Sequence, residues 1–595
     1  MYQKFAQSDD SSKEKKGSHY TPPHLATFLM DQVLPWEGKE LDVRILDPSC
    51  GSGIFLVEGY RRLIHRWKVK NNKSPSISDL NQILKENLFG VDISYEAIQI
   101  AALSLYLTLC DYLEPRIILK NLVFERLINN NLFVCDFFSD DLPFAKEKYD
   151  IIIGNPPWES KLSDLASQYI KKTSKPVGDK QICQAFLWRV SDLCRSTTEI
   201  CMIVSSKSLL FNRSTKNRLF RKEFFSSVCV KSIINFSLLR RILYSEAIGP
   251  CAAIIFSLNN LQRNLIFYCT PKPCYSPQDD WLFIIEPQDI AKIPKEDAID
   301  DDLVWKAAMW GTPRDYELIK RLAGFSSLKE ICDTNKWIDG EGFILGRKNR
   351  KLDPWVSEKP YIDVDRLEKF YLDETTLPTC RETHFYRSAK KKREIFKGPH
   401  LLIKQSPKKD GLVATLLEKD AVFNGSIVGI HGNSNDIDKL SFCCAVINSK
   451  LSLYYQMLTS RKWLVERDEL QKEEIMSIPI SEKNLFSSEF TFQKLKQFSK
   501  NRNDLSELNE LIAQWYNLSE SELILIEDTI NYTLDFYNNK KKSIALLPAK
   551  KQNLNEYLDV YCKVLNNSFL SEEKFQIGYM YEKKGPLKIV SIIYG

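Results

Sequence analysis

The sequence predicts an α/β protein: a mainly parallel sheet over residues 20–257, followed by a mixed α+β half and a helical tail. Three observations carry this expectation. Short apolar, β-rich runs alternate with helical patterns through the first part, as βαβ units of a parallel sheet do. Several of these runs end in an acid or a glycine-rich turn. Prolines at 271, 273, 277, 287 and 294 then punctuate the chain before an aromatic, locally basic remainder. At 595 residues the chain exceeds what one core organises, so about two to four domains are expected.

The strands are read, in order, at Arg44–Leu46, Leu88–Val91, Leu132–Cys135, Asp150–Ile153, Ile200–Val204, Ser232–Phe236 and Ala252–Phe256. Helices are expected after the first three, with Ile54–Val69 and Tyr95–Tyr112 the clearest. Residues 1–18 read as a flexible polar arm, 19–257 as the α/β domain, 258–300 as a connector and 301–484 as a mixed domain. Residues 485–545 read as helical, with Leu505, Leu508, Leu511 and Ile512 at helical spacing. Residues 546–595 read as a small extra element, a helix followed by strands at Phe575–Tyr581 and Leu587–Tyr594.

Composition excludes several classes. The chain is 44% hydrophobic and 27% charged, ordinary for a globular protein, and a net charge of +6 does not by itself declare a nucleic-acid binder. None of the 15 cysteines falls in a CxxC pair, which argues against a zinc site, and no metal is expected. No apolar run reaches the roughly 18 residues of a spanning helix, so a cytoplasmic protein with reduced thiols and no membrane partner is expected.

The chemistry-bearing stretch is Tyr149–Ser160, YDIIIGNPPWES, where an apolar strand ends in Asn155-Pro156-Pro157-Trp158. Two prolines fix φ near −65° and give up two backbone donors, leaving a stiff corner of carbonyls, one carboxamide and one flat ring. A bare Pro-Pro reads as a strand end. The whole tetrapeptide at a strand's C-terminus calls for more than that reading. Upstream, Ile45–Leu56, ILDPSCGSGIFL, runs a strand through Asp47-Pro48 and Gly51-Ser52-Gly53 into a helix. Glycines permit a sharp turn and close approach of a ligand, and the helix N-terminus favours an anionic group. The pattern is neither the dinucleotide GxGxxG nor a Walker loop. Asp92 ends the next strand, where an acid grips ribose hydroxyls, and Asp136 ends another, followed by Phe137. Taken alone, each acid reads as a helix N-cap or surface carboxylate. Three in chain order, followed by the 155–158 corner, read as one site.

Together these motifs resemble the amino-group DNA methyltransferases of the γ arrangement, the TaqI-like N6-adenine enzymes of restriction-modification and phage-defence systems. HYTPPHLATFLMDQVL (19–34) is similar to motif X, DPSCGSG to motif I, GVDIS to motif II, VCDFF to motif III and NPPW to motif IV. FLWRVSDL (186–193) falls at motif V and ICMIVSSKSLLF (200–211) at motif VI. The resemblance covers residues 19–257. It implies a Rossmann-like class I S-adenosylmethionine-dependent domain with a seven-stranded sheet, and a target-recognition domain after it. It further implies cofactor contacts from Tyr20, Thr21, Pro22, Asp47, Pro48, Ser49, Cys50, Gly51, Gly53, Asp92, Ile93, Asp136, Phe137 and Asn155. Catalysis would fall to Asn155, Pro156, Pro157 and Trp158. Trp158 and Tyr244 would stack on an extruded adenine, with Phe236 the alternative to Tyr244. One departure is the separation of Asp47 from Asp92, about twice the usual spacing, and the excess is read as a loop insertion at Lys68–Asp79.

In the second half, basic clusters at Arg347, Lys348, Arg350 and Lys351, and at Lys390, Lys391, Lys392 and Arg393, are interleaved with aromatics. Such runs read either as a solvated face or as phosphate contacts to duplex DNA. No nuclease is expected, and residues 546–595 are read as a docking element for a separate nuclease or helicase subunit. Three alternatives stay open: methylation of cytosine N4 or of a ribosomal RNA guanine, methylation of a release-factor glutamine, and a non-catalytic DNA-recognition or scaffold subunit.

Overall fold

The computed structural model describes residues 20–594 apart from 143–147, 245–248, 260–263, 276–282, 346–350, 353, 357, 373–376, 381–383, 387–392, 409–410, 487–489, 502–503, 548–550, 569–574 and 583–587. The arm expected at 1–18 lies outside the described residues. The chain divides into two compact units, Met1–Met309 and Trp310–Gly595. Among the described residues no helix is long and apolar enough to cross a membrane.

The first unit is built on one sheet of nine strands: β1 Ile45–Asp47, β2 Leu88–Asp92, β3 Leu132–Val134, β4 Tyr149–Gly154, β5 Cys194–Ser205, β6 Cys229–Asn235, β7 Cys251–Ser257, β8 Leu265–Cys269 and β9 Ile290–Pro294. Their order is β9-β8-β6-β7-β5-β4-β1-β2-β3. Neighbours run parallel except that β7 opposes both β5 and β6, and β9 opposes β8. All seven strands expected from the sequence are present, six with ends within three residues of those expected and one, β5, beginning six residues earlier, at Cys194. The seven-stranded expectation is corrected to nine, because the stretch read as a connector, 258–300, supplies β8 and β9. Ile266, Tyr268 and Ile293 are buried, and both strands pair into the sheet, so their residues extend it rather than serve as a linker.

Helices α1 Pro23–Val33, α2 Ile54–Asn71, α3 Ile77–Asn87, α4 Tyr95–Cys110, α5 Asp164–Thr173, α6 Ile182–Asp192 and α7 Thr215–Ser227 accompany the sheet. The insertion read as a loop at Lys68–Asp79 is instead mostly helical. α2 runs on to Asn71, and α3 begins after Ser76, whose side chain forms a capping box with Asp79. Leu80, Ile83 and Leu84 bury one face of α3, and Tyr60 of α2 donates to Leu80 O at 3.0 Å. Asn87 then donates to the carbonyls of Leu41 and Val43, both at 3.0 Å, and delivers the chain into β2. A second correction concerns β3: among the described residues no helix follows it. Asp136 accepts from the Phe138 N–H at 2.9 Å and its carbonyl from the Ser139 N–H at 3.0 Å, closing a turn instead.

The second unit contains a five-stranded sheet, β10 Ile338–Glu341, β11 Phe370–Tyr371, β12 His400–Lys404, β13 Ala414–Leu417 and β14 Ile427–His431, in the order β10-β14-β12-β13-β11. The buried helices α8 Ile437–Ile447 and α9 Lys450–Thr459 follow. Helices α10 Phe492–Lys500, α11 Ser506–Trp515 and α12 Glu520–Asp528 occupy the stretch read as helical. The last elements are α13 Lys551–Ser568 and an antiparallel pair, Phe575–Glu582 with Lys588–Tyr594, close to the expected helix and two strands.

One buried arginine fastens α1 to α2. Arg62 is fully buried and donates to Asp31 Oδ1 at 2.6 Å, Leu34 O at 2.8 Å and Thr27 O at 3.0 Å, with its guanidinium 4.9 Å from the Trp36 ring centre. Removing it strands carbonyls that water reaches poorly. Arg62→Ala is expected to cost about 2–4 kcal/mol of unfolding free energy in urea titrations. A loss below about 0.5 kcal/mol, the usual scale of a surface substitution, would show that α1 is held by apolar packing alone.

Candidate functional site

The order of the sheet reverses between β1 and β4, which pair side by side and in parallel with Ile45 opposite Ile151. Ligands of open α/β sheets bind at the carboxyl ends of the strands beside such a reversal. Here those ends are Asp47-Pro48 and Gly154-Asn155. They approach so closely that a Cβ added to Gly154 would stand 2.8 Å from Asp47 Oδ1 and 2.9 Å from Pro48 Cδ. Only glycine admits the acid and the Asn155 corner at this separation.

Around Asp47 the chain forms a cradle of backbone donors. Asp47 Oδ1 accepts from the Ser49 N–H at 3.1 Å. Asp92, at the end of β2, accepts from the Gly51 N–H at 3.0 Å and the Ser94 N–H at 2.8 Å. The glycine turn therefore leans on the second acid. Gly51 and Gly53 have φ of +50° and +80°, values that side chains with a Cβ rarely adopt. A Cβ on Gly53 would also meet Ala101 Cβ of α4 at 3.1 Å, whereas one on Gly51 would meet nothing within 4 Å. Gly51 thus faces open space and Gly53 a neighbouring helix.

Two carboxylates in this cradle carry unfavourable electrostatics. Asp47 is only 1% exposed, and burial pushes its carboxyl up to about 8; the Ser49 N–H draws it back and the Asp92 charge adds to the rise. Burial likewise raises Asp92, opposed by the Ser94 and Gly51 N–H groups. Burial also lifts the Cys50 thiol well above its ordinary value, so Cys50 is a neutral wall residue. Ile93, next to Asp92, is 78% exposed.

At the corner itself, Asn155 Nδ2 donates to Thr21 Oγ1 at 3.1 Å, a contact 134 positions apart in sequence. Thr21 stands just ahead of α1, whose first residues are Pro22, the N-cap, and Pro23. With its nitrogen held by that hydroxyl, the amide turns its oxygen the other way. Trp158 and Tyr244 meet edge to face, with ring centres 5.3 Å apart and planes at 79°. Phe236, the alternative partner, is fully buried, edge-on to Phe28. Tyr244 is therefore the ring beside Trp158.

Not every expected residue faces the same space. Phe137 is 2% exposed and stacks on Phe186 of α6, with centres 5.3 Å apart and planes at 6°, so at least one of its faces is core. Tyr20 and Asp136 are half-buried. Among the basic residues, 347, 348, 350 and 390–392 lie outside the described residues. Lys351 begins a two-residue strand, and the Arg393 guanidinium lies 5.0 Å from the Trp355 ring centre, which Lys359 Nζ also approaches at 4.8 Å. Among the described residues no group of three metal-ligating side chains gathers.

Residues 86–240 match the family model of the Eco57I restriction-modification methylase, the segment that holds Asp92, Asp136 and Asn155–Trp158. Over 153 residues the chain is 31% identical to the Type II methyltransferase M.VspI of Vibrio sp. (strain 343), covering 26% of this chain and 28% of that protein. Over 214 residues it is 26% identical to the Type II methyltransferase M.BstVI of Geobacillus stearothermophilus, covering 35% of each. Over 100 residues it is 29% identical to the adenine-specific methyltransferase BrxX of Escherichia coli O9:H4 (strain HS), 16% of this chain and 8% of that one. The alignments thus span about a third or less of these relatives' lengths. Among solved structures, the Type IIL restriction-modification enzyme MmeI, in complex with DNA, shares the fold with a TM-score of 0.50 at 14% identity, over 94% of this chain and 80% of that one.

The Asp47 environment has a sign that can be measured. A carboxyl raised from its ordinary value near 4 to about 8 makes the folded protein hold a proton that the unfolded chain releases. Stability therefore falls as pH climbs through that window. Asp47→Asn is expected to raise the urea midpoint of the ligand-free protein at pH 8, with the gain closing toward pH 4. A substitution that destabilises equally at both pH values would contradict the electrostatic account.

Proposed function

We propose that this chain is a site-specific DNA methyltransferase that moves a methyl group from S-adenosylmethionine to the N6 amino group of adenine in duplex DNA. It would serve as the modification component of a restriction-modification or phage-defence system and work on DNA in the cytoplasm. The observation that carries the reading is the corner Asn155-Pro156-Pro157-Trp158 held against Asp47, with the Asn155 amide oriented by Thr21. The match of residues 86–240 and the adenine specificity in the name of one relative support it.

The cradle suits the methyl donor. A buried acid, Asp47, with a half-buried one, Asp92, beside it favours a ligand bringing hydroxyl and ammonium donors, and the open side of Gly51 leaves room for it. Asp47, Gly51, Gly53, Asp92, Ile93 and Asp136 would hold it, with Tyr20, Thr21 and Pro22 closing one end. When bound, the cofactor would supply an electrophilic methyl group on a sulfonium centre.

The rest falls to the chain's own groups. Adenine's exocyclic nitrogen is a weak nucleophile because its lone pair is delocalised into the ring. Asn155 Oδ1 and the Pro156 carbonyl would each accept one amino hydrogen, drawing the nitrogen toward tetrahedral geometry. The prolines keep the acceptors in place, so little reorganisation remains at the moment of reaction. The base must first leave the duplex. A base sandwiched between two rings needs them roughly 7 Å apart, twice a van der Waals contact. Trp158 and Tyr244 are closer than that and edge-on, so base entry would turn one ring aside. Basic clusters of the second unit, Lys390–Arg393 among them, would track phosphates, and residues 546–595 would dock a partner subunit.

Asn155→Ala is expected to leave S-adenosylhomocysteine binding intact and lower turnover by roughly 10²–10³, the usual cost of one preorganised acceptor. Trp158→Ala would weaken base capture by about 1–3 kcal/mol. Asp92→Ala would weaken S-adenosylhomocysteine in calorimetry by about 1–3 kcal/mol. Cofactor affinity indifferent to Asp92, or turnover indifferent to Asn155, would remove that residue from the site.

A further inference from the structure

Arg189 lies on α6, in the segment similar to motif V, and neither the cofactor cradle nor the corner contains it. Its side chain is 13% exposed. The guanidinium leaves the helix and donates twice to the turn that follows β3: Nε to Phe137 O at 3.3 Å and Nη2 to Ser139 O at 2.9 Å. That is the turn closed by Asp136, which accepts from the Phe138 N–H. Phe186, one helical turn earlier, stacks on Phe137. α6 thus grips the Asp136 turn by a ring on one side and a fork of charged donors on the other.

The fork is itself held. Arg189 Nη1 stands 3.8 Å from Asp192, and the guanidinium lies 5.3 Å from the Tyr169 ring centre on α5. Tyr169 donates to Asp192 Oδ2 at 2.7 Å, and Lys175 donates to Asp192 Oδ1 at 2.9 Å. At its other end α6 meets the exit of the corner: the Ile182 N–H donates to Glu159 O at 3.1 Å, and Gln181 Nε2 to Ser160 Oγ at 2.5 Å. From Ile182 to Arg189 is two helical turns, about 10 Å of rigid rod. One end of that rod touches the residue after Trp158 and the other holds the turn of Asp136.

We propose that Arg189 is a positioning residue: by clasping the carbonyls of Phe137 and Ser139 it fixes Asp136 at the methyl-donor end of the site, in the frame that α6 also gives the exit of the Asn155–Trp158 corner. The inference rests on the reading under Proposed function. The chemistry asks for arginine. A planar fork spans two carbonyls at once, whereas a lysine ammonium is a single point on a flexible stem.

The test is calorimetric titration of the full-length chain with S-adenosylhomocysteine for the wild type, Arg189→Ala, Arg189→Lys and Asp92→Ala. It is joined to methyl transfer on unmethylated bacteriophage genomic DNA at saturating donor. The expected result is affinity weakened roughly tenfold in Arg189→Ala, an intermediate loss in Arg189→Lys, and kcat within about threefold of wild type. A brace with only a structural role would lower stability and leave donor affinity alone. Should Arg189→Ala fail to fold, Arg189→Lys carries the decision by itself. Wild-type affinity in the folded Arg189 variants, with Asp92→Ala weakened, overturns the positioning role. Wild-type affinity in Asp92→Ala as well overturns the site reading beneath it.

Discussion

The site depends on one close approach. β1 and β4 run side by side, and at their carboxyl ends Gly154 sits so near Asp47 that a methyl group would stand 2.8 Å from the carboxylate oxygen. This contact puts the acid of one strand and the amide of the next into a single space. The rest of the site is arranged around it. Asp92 steadies the Gly51 turn, Thr21 orients Asn155, and Trp158 meets Tyr244 beyond the prolines. Any side chain at 154 would push the corner away from the cradle, separating the two halves the proposed reaction has to bring together.

The contact also has an electrostatic consequence. Asp47 is sealed from water with a second acid nearby, and its folded form prefers to keep a proton up to about pH 8. A protein that needed Asp47 only for folding would gain from an amide there. Retaining an acid at this position makes sense if a ligand supplies the missing counter-charge and hydrogen-bond donors, because binding then recovers what burial costs. The left-handed turn at Gly51 and Gly53 and a buried acid with an unfavourable charge gather at one strand reversal, which marks where the fold is subordinate to chemistry.

Much of this was legible in the sequence because it is local. Strand ends at Asp47, Asp92 and Asn155 follow from short apolar runs broken by glycine, proline and acids, and every one of the seven expected strands is found. What was not legible depends on distant partners. α3 was hidden by the polar run 71–76, although Ser76 and Asp79 form a capping box and Leu80, Ile83 and Leu84 repeat at helical spacing. β8 and β9 were hidden by the surrounding prolines, and only the pairing of β8 with β6 and of β9 with β8 identifies them. The Thr21–Asn155 bond and the clasp of Arg189 on the Asp136 turn join residues far apart in the chain. No local pattern announces either. Phe137 shows the reverse case: an aromatic beside a strand-end acid looks open on both faces, yet one of them is taken by Phe186.

In the proposed reaction the corner accepts a flipped adenine and presents its N6 to the methyl donor. The most direct test incubates the protein with tritiated S-adenosylmethionine in three parallel reactions, with unmethylated duplex DNA, ribosomal RNA or a release factor. The products are then digested and separated by chromatography. Label is expected in duplex DNA alone, recovered as N6-methyladenine. Label recovered as N4-methylcytosine, as a methylated guanine or on glutamine would contradict the proposed reaction.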